Sequence, residues 1–65
     1  MDFISALAEV KKGARITRDA WNNREVYVCL QAGLLMIHMA DKMFHSWILS
    51  EIDMYSRDWR TVADA

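Results

Sequence analysis

The sequence predicts an α+β fold, with an N-terminal helix, a small antiparallel β-sheet, and a short second helix before a final strand. Three observations lead to this class. Helical periodicity is clear over residues 2–12, short alternating or apolar runs follow it, and Asn or Gly residues separate the first of those runs. The 65 residues contain no linker, repeat or low-complexity segment, so we expect residues 1–65 to form a single domain.

The first predicted element is a helix over residues 2–12. Its apolar residues recur at i, i+3, i+4 and i+7 and form one stripe, which consists of Phe3, Ala6, Leu7 and Val10. Asp2 stands at the position of an N-cap, and Lys11 and Lys12 lie in the last turn, where cations favour the helix dipole. Gly13 follows, where a left-handed C-cap is expected.

Two predicted strands come next. Residues 14–18 form a short alternating run, and residues 25–31 alternate between two faces, with Val26, Val28 and Leu30 on the same side. The pair Asn22-Asn23 indicates a turn between the two strands, because Asn tolerates left-handed backbone conformations.

A third strand is predicted over residues 34–39, after a tight turn at Ala32-Gly33. This run is almost continuously apolar, which is typical of a strand covered on both faces. A domain of this size has too few elements to cover both faces. We therefore expect this segment to lie at an interface between subunits.

The stretch from Met43 to Trp59 has two interpretations. Its apolar spacing suits one continuous amphipathic helix, but it also suits a strand ending near Trp47, a short helix from Ser50, and a last strand over residues 59–62. The second interpretation is preferred, because Ser50 followed by Asp53 resembles a capping box and β-branched residues follow Trp59.

Composition indicates a small protein that self-associates. Hydrophobic residues make up 54% of the chain, above the usual ~45–50%, and the excess is expected to be covered in a homo-oligomer, a dimer or a tetramer. A net charge of -1 argues against binding to nucleic acid polymers. No apolar run approaches the length of a membrane span and no signal-peptide pattern is visible, so we expect a cytoplasmic protein.

Catalytic and metal chemistry is poorly supported. Cys29 is expected to be a buried, inert thiol, and the sequence pattern places no His beside it. His38 and His45 are too few ligands for a zinc site. Asp53 and Asp58 are five residues apart, and two aspartates at this spacing are only weak evidence for a catalytic acid–base pair. We expect a protein that is not an enzyme and that needs no metal or other cofactor.

Binding of a flat ligand is better supported. Each tryptophan lies near polar or charged residues, and Trp21, Trp47 or Tyr55 could stack on a ring while neighbouring polar groups bind its edge. Arg18 and Arg57 could meet an anionic group. The alternative is that the indoles fill the core and the arginines are solvated.

Two blocks of the chain resemble a known family of small phage and prophage domains, which includes the Thoeris anti-defence sponge proteins. The opening block has Phe3, Ala6, Leu7, Gly13, Arg18, Trp21 and Asn22, and the closing block has Trp47, Ser50, Asp53, Asp58 and Trp59. The segment between them, residues 34–46, is short for such a domain.

The resemblance implies a small α+β homo-oligomer that sequesters a cyclic nucleotide-type immune signal, a cyclic ADP-ribose species or a cyclic oligonucleotide, without cleaving it. Seven residues are candidates for ligand binding: Arg18, Trp21, Asn22, Trp47, Ser50, Asp53 and Arg57. On this interpretation Trp21 stacks on a base, Asn22 and Ser50 bond a ribose or base edge, and Asp53 accepts from a ribose hydroxyl. Trp59 belongs to the core.

Three functions follow as hypotheses. The first is sequestration of the signal in the cytoplasm of an infected host cell, with Arg18 or Arg57 on phosphate and pockets between subunits. The second is direct inhibition of a host defence protein, as anti-CRISPR-like proteins do, through exposed apolar surface. An enzyme that degrades the signal is the weakest hypothesis, because no catalytic set is visible.

Overall fold

The computed structural model of the chain describes residues 1–62, and its architecture confirms the α+β class. The elements in chain order are α1 (Phe3–Lys11), β1 (Arg15–Arg18), a 3₁₀ turn (Asp19–Trp21), β2 (Tyr27–Gln31), β3 (Leu34–His38), β4 (Phe44–Ser46), α2 (Glu51–Tyr55) and β5 (Trp59–Val62). Of the two interpretations of residues 43–59, strand, helix and strand is therefore confirmed. No helix in the described range is long and apolar enough to cross a bilayer.

The five strands form one sheet in the order β4-β3-β2-β1-β5, and every neighbouring pair is antiparallel. The last strand returns to pair with the first, where Arg18 lies opposite Trp59. The register also aligns Val28 with Ile37, and Ile37 with His45, across β2, β3 and β4. Side chains in one such row share a face of the sheet.

Both ends of α1 have the caps that its sequence predicts. The Oδ1 atom of Asp2 accepts from the backbone N–H of Ser5 at 2.8 Å. At the other end Gly13 has φ +100°, and its N–H donates to the carbonyl of Val10 while that of Ala14 donates to Glu9. These two bonds form a Schellman motif, which ends the helix at a residue that needs no Cβ.

The core lies between α1 and one face of the sheet, which we call the inner face. It consists of Phe3, Ala6, Val10, Ile16, Val28 and Trp59. Trp59 is the largest of these side chains and is 1% exposed. Its indole Nε1–H donates to the backbone carbonyl of Asp53 at 3.0 Å, so the single polar atom of the ring is satisfied. The assignment of Trp59 to the core is confirmed.

The opposite, outer face of the sheet carries apolar side chains that no element in residues 1–62 covers. On β3, Leu35 and Ile37 pack towards the core, whereas the residues that alternate with them point outward. Leu34 is 65% exposed. Tyr27, at the start of β2, is buried although it faces outward, because the guanidinium of Arg15 and the ring of His38 lie against it. The interface predicted for residues 34–39 stays a prediction.

Replacing Trp59 tests how far the fold depends on it. Trp59→Ala is expected to cost about 3–5 kcal/mol, and a core of this size rarely supplies more than roughly 3–5 kcal/mol, so this variant should be largely unfolded. Trp59→Phe keeps a ring but leaves the Asp53 carbonyl without its donor, which should cost about 1–3 kcal/mol.

Urea unfolding followed by circular dichroism measures both effects. Ile52→Ala, at a 72% exposed position of α2, is the control and should unfold close to the wild-type midpoint. A Trp59→Phe variant with the wild-type midpoint would contradict the role given to the indole hydrogen bond.

Candidate ligand-binding cleft

An open cleft of about 790 Å³ lies beside the core, where the 3₁₀ turn, the β3–β4 hairpin and α2 meet. Its lining residues are Trp21, Asn23, Val26, Ile37, Met39, Ala40, Asp41, His45, Ser46, Trp47, Ile48 and Asp53. Pockets that bind small molecules usually measure about 300–1,000 Å³ and combine apolar walls with a few polar groups. The cleft has both properties.

Two tryptophans form the aromatic wall of the cleft. Trp21 comes from the 3₁₀ turn and Trp47 follows β4, and both are half-buried. Each meets Trp59 edge to face, with ring centroids 5.3 Å and 5.9 Å from it and interplanar angles of 84° and 73°. Because Trp59 is locked in the core, it fixes the orientation of both cleft tryptophans before any ligand arrives.

Behind this wall Arg18 joins two carboxylates from distant parts of the chain. Its Nε donates to Asp58 at 2.9 Å and its Nη1 donates to Asp53 at 3.2 Å. The second oxygen of Asp58 accepts from the backbone N–H of Ala20. The bond from Arg18, followed by the bond from Ala20, holds the pKa of Asp58 below its ordinary value. The hydrogen bond to Asp58 in turn raises the pKa of Arg18. Arg18 and Asp58 therefore stay charged at neutral pH.

Ser50 and Asp53 set the start of α2. The Ser50 hydroxyl accepts from the backbone N–H of Asp53 at 3.2 Å, as in a capping box. In a full capping box the side chain at Asp53 would return to the backbone of Ser50, but here its carboxylate pairs with Arg18. Asp53 thus takes part in the start of α2, in the ion pair with Arg18 and in the lining of the cleft.

Asn22 and Asn23 shape the segment between the 3₁₀ turn and β2. Asn22 adopts a left-handed conformation with φ 44°, as the turn signal predicts, and its N–H donates to the carbonyl of Asp19. The side-chain oxygen of Asn23 accepts from the N–H of Glu25, which leaves its amide NH₂ group as a donor at the cleft.

The structure brings three of the seven candidate residues together at the cleft, namely Trp21, Trp47 and Asp53. These three side chains come from one chain, and the hypothesis of pockets between subunits stays a prediction. The other four, Arg18, Asn22, Ser50 and Arg57, do not line it. Arg57 is exposed, and its carbonyl accepts from the amino group of Met1. The ligand-binding roles of all seven stay predictions.

Sequence patterns missed Asp41 and His45, which the β3–β4 hairpin brings to the cleft as polar lining residues. The Nε2 of His45 lies 2.9 Å from the Oδ2 of Asp41, and Oδ1 of Asp41 accepts from the N–H of Met43. That backbone bond, and then the bond from His45, lower the pKa of Asp41. The sequence did contain a signal for this contact. Asp41 precedes His45 by four residues across a short turn, a spacing that allows the two side chains to meet in a hairpin.

Other residues with reactive or ligating side chains stand apart from the cleft. Cys29 is half-buried on β2 and outside the lining, and burial raises the pKa of its thiol. Residues 1–62 contain no group of three or more His, Cys, Asp or Glu side chains placed to hold a metal ion.

Asp58→Asn tests the charged support behind the cleft. Because the folded pKa of Asp58 lies below the unfolded value of about 3.9, the ion pair stabilises the fold fully above that value and is lost as pH falls through the lowered folded pKa. The variant should be less stable by about 1–3 kcal/mol at pH 7, and its stability should fall less steeply than that of the wild type between about pH 5 and pH 2.

Urea midpoints measured across this pH range check the prediction. Asp19→Asn is the matched control, because it removes an ion pair to Arg60 that is exposed to solvent. Exposed pairs contribute about 0–1 kcal/mol, so this control should stay near the wild type. Equal losses in the two variants would contradict a special role for Asp58.

Comparison with known proteins places the chain in a family. No curated protein matches it. The family model of the Thoeris anti-defense 2-like domain, Tad2-like, matches residues 1–62, which includes every element described above. The resemblance of the opening and closing blocks is thereby confirmed, and an anti-defence role against Thoeris is supported. The chain belongs to the Tad2-like family of Thoeris anti-defense 2-like domains.

Proposed function

We propose that this protein binds a cyclic nucleotide-type immune signalling molecule, a cyclic ADP-ribose species or a cyclic oligonucleotide, and sequesters it without cleavage. The observation that carries the proposal is the meeting of Trp21 and Trp47 at one cleft that also presents carboxylates, in a member of a Thoeris anti-defence family. It would act in the cytoplasm of an infected host cell.

Stacking supplies the affinity in this proposal. A base stacked on an aromatic side chain contributes about 1–3 kcal/mol, and two indoles at one cleft can hold one ring each or a single ring between them. Both indoles are already oriented by their edge-to-face contacts with Trp59. A preorganised wall loses less conformational entropy on binding, which favours tight capture.

The way in which the charged groups are engaged supports capture of the ligand without turnover. The carboxylate of Asp53 is engaged by Arg18, and that of Asp41 by His45 and a backbone N–H. The thiol of Cys29 lies outside the cleft. These groups are suited to holding a ligand in one orientation. Recovery of the intact ligand after heat denaturation of the complex would support sequestration, and recovery of a cleaved product would support an enzyme.

Calorimetric titration with cyclic ADP-ribose isomers and cyclic di- and trinucleotides tests binding directly. At least one compound should bind, and Trp21→Ala and Trp47→Ala should each weaken it by about 10- to 100-fold through the loss of stacking. Trp21→Phe and Trp47→Phe should retain more of the affinity, because a smaller ring remains.

Ile52→Ala is the control for this titration, since Ile52 is exposed on α2 and outside the cleft. Circular dichroism shows whether each variant is folded. The absence of heat with every compound, from folded wild-type protein, would contradict the proposal.

We further propose that the protein is a homo-oligomer, a dimer or tetramer, joined through the outer face of the sheet. Leu34 and Phe44 are exposed there, and Met36 lies between them in the same alternation. A chain with so small a core gains stability by burying this surface against a second copy.

Light scattering at micromolar concentration measures the assembly. Leu34→Glu should shift the protein towards monomer, because it places a charge in the proposed interface. Ile4→Glu, on the exposed side of α1, is the matched control and should leave the mass unchanged. A monomeric wild type would rule out the assembly.

The same outer face supports a second candidate function, direct inhibition of a host defence protein. An exposed patch with aromatic and Met residues is typical of a protein interface. A stoichiometric host protein retained by the wild type and lost with Leu34→Glu, from a protein that binds no cyclic nucleotide, would favour this function over sequestration.

A further inference from the structure

The hairpin side of the cleft carries a hydrogen-bond acceptor. Asp41 is a carboxylate and accepts only. Because a carboxylate cannot donate, the 2.9 Å contact with Asp41 requires a proton on Nε2 of His45, so that this nitrogen is the donor of the pair. The carboxylate of Asp53 also lines the cleft and adds a second acceptor. A matching ligand must present donors, such as ribose hydroxyls or an amino group on a ring.

No Lys or Arg among residues 1–62 lines the cleft to receive a phosphate. Arg18 lies against the ring of Trp21, 5.9 Å from its centroid, but Asp53 and Asp58 already neutralise it and it is only 12% exposed. A phosphate placed beside the carboxylate of Asp41 would meet a negative charge, which disfavours it.

A second, smaller cavity lies on the outer face of the sheet, on the other side of the segment from Asn23 to Val26, and carries arginine side chains. It measures about 250 Å³, is lined by Arg24 and Arg60, and shares Asn23 and Val26 with the cleft. The guanidinium of Arg60 is paired with Asp19 at 2.7 Å. Within residues 1–62, Arg24 is an exposed cation without an ion-pair partner.

From this arrangement we infer a two-part site. The cleft takes the uncharged part of the ligand, a flat base and its ribose, with the hydroxyls donating to the carboxylate of Asp41. The phosphate lies outside the cleft, across the segment from Asn23 to Val26, and meets Arg24. The inference rests on the proposed function for its ligand class, and it adds which chemical group occupies which cavity.

Titration with three compounds tests the two parts of the site separately. The compounds are adenosine, 2′,3′-dideoxyadenosine and adenosine 5′-monophosphate. Titrations are followed by the indole N–H signals in NMR spectra, where Trp21 and Trp47 should shift and the buried Trp59 should not. Adenosine should bind at least tenfold more tightly than the dideoxy compound, and Asp41→Asn should remove most of that difference. The monophosphate should bind about tenfold more tightly than adenosine, and Arg24→Gln should remove that gain.

Lys42→Gln is the matched control, because Lys42 is a second exposed cation near the cleft that lines neither cavity. It should leave all three affinities within twofold of the wild type. Circular dichroism shows that Asp41→Asn and Arg24→Gln are folded.

The outcomes distinguish this inference from the proposed function. If a cyclic nucleotide binds but Asp41→Asn leaves adenosine binding unchanged, or Arg24→Gln leaves the gain from phosphate unchanged, the two-part site is wrong and sequestration stands. If the adenosine compounds bind as described and no cyclic nucleotide does, the site stands and sequestration is wrong. If no compound binds, both are wrong.

Discussion

The buried indole of Trp59 is the constraint on which the rest of the structure depends. It fills the core beneath α1, and its Nε1–H holds the carbonyl of Asp53 at the start of α2. Trp21 and Trp47 pack edge to face on the same ring. In a chain of 65 residues one large side chain can therefore join helix, sheet and cleft, because few other core residues compete for that space.

The small size of the domain also affects how its charged side chains are paired. A guanidinium as enclosed as that of Arg18 must be paired, and Asp53 and Asp58 supply the charges from segments that approach only in the folded chain. Since this pairing occupies Arg18, the adjoining cleft is left with aromatic faces, carboxylates and a few neutral polar groups. Stability of the fold and the chemical character of the cleft are thus set by one group of residues.

Family membership indicates the biological role of the protein, whereas the geometry describes the chemistry of its cleft. Membership in the Tad2-like family supports an anti-defence role against Thoeris. The cleft adds chemistry: indole faces for a ring, acceptors for hydroxyls or amino groups, and a separate arginine-lined cavity next to it. The outer face of the sheet adds exposed apolar side chains, Leu34 and Phe44 among them.

The sequence by itself determined the elements whose signals are local. The caps at Asp2 and Gly13, the turn at Asn22, the Ser50 cap and the strand over residues 59–62 each depend on neighbours within a few positions. Only the tertiary structure decided which side chains share the cleft. Asp41 and His45 enter it through the register that pairs Ile37 with His45, and Arg18 reaches carboxylates 35 and 40 positions away. Such contacts come from strand order and packing, which no local pattern of residues encodes.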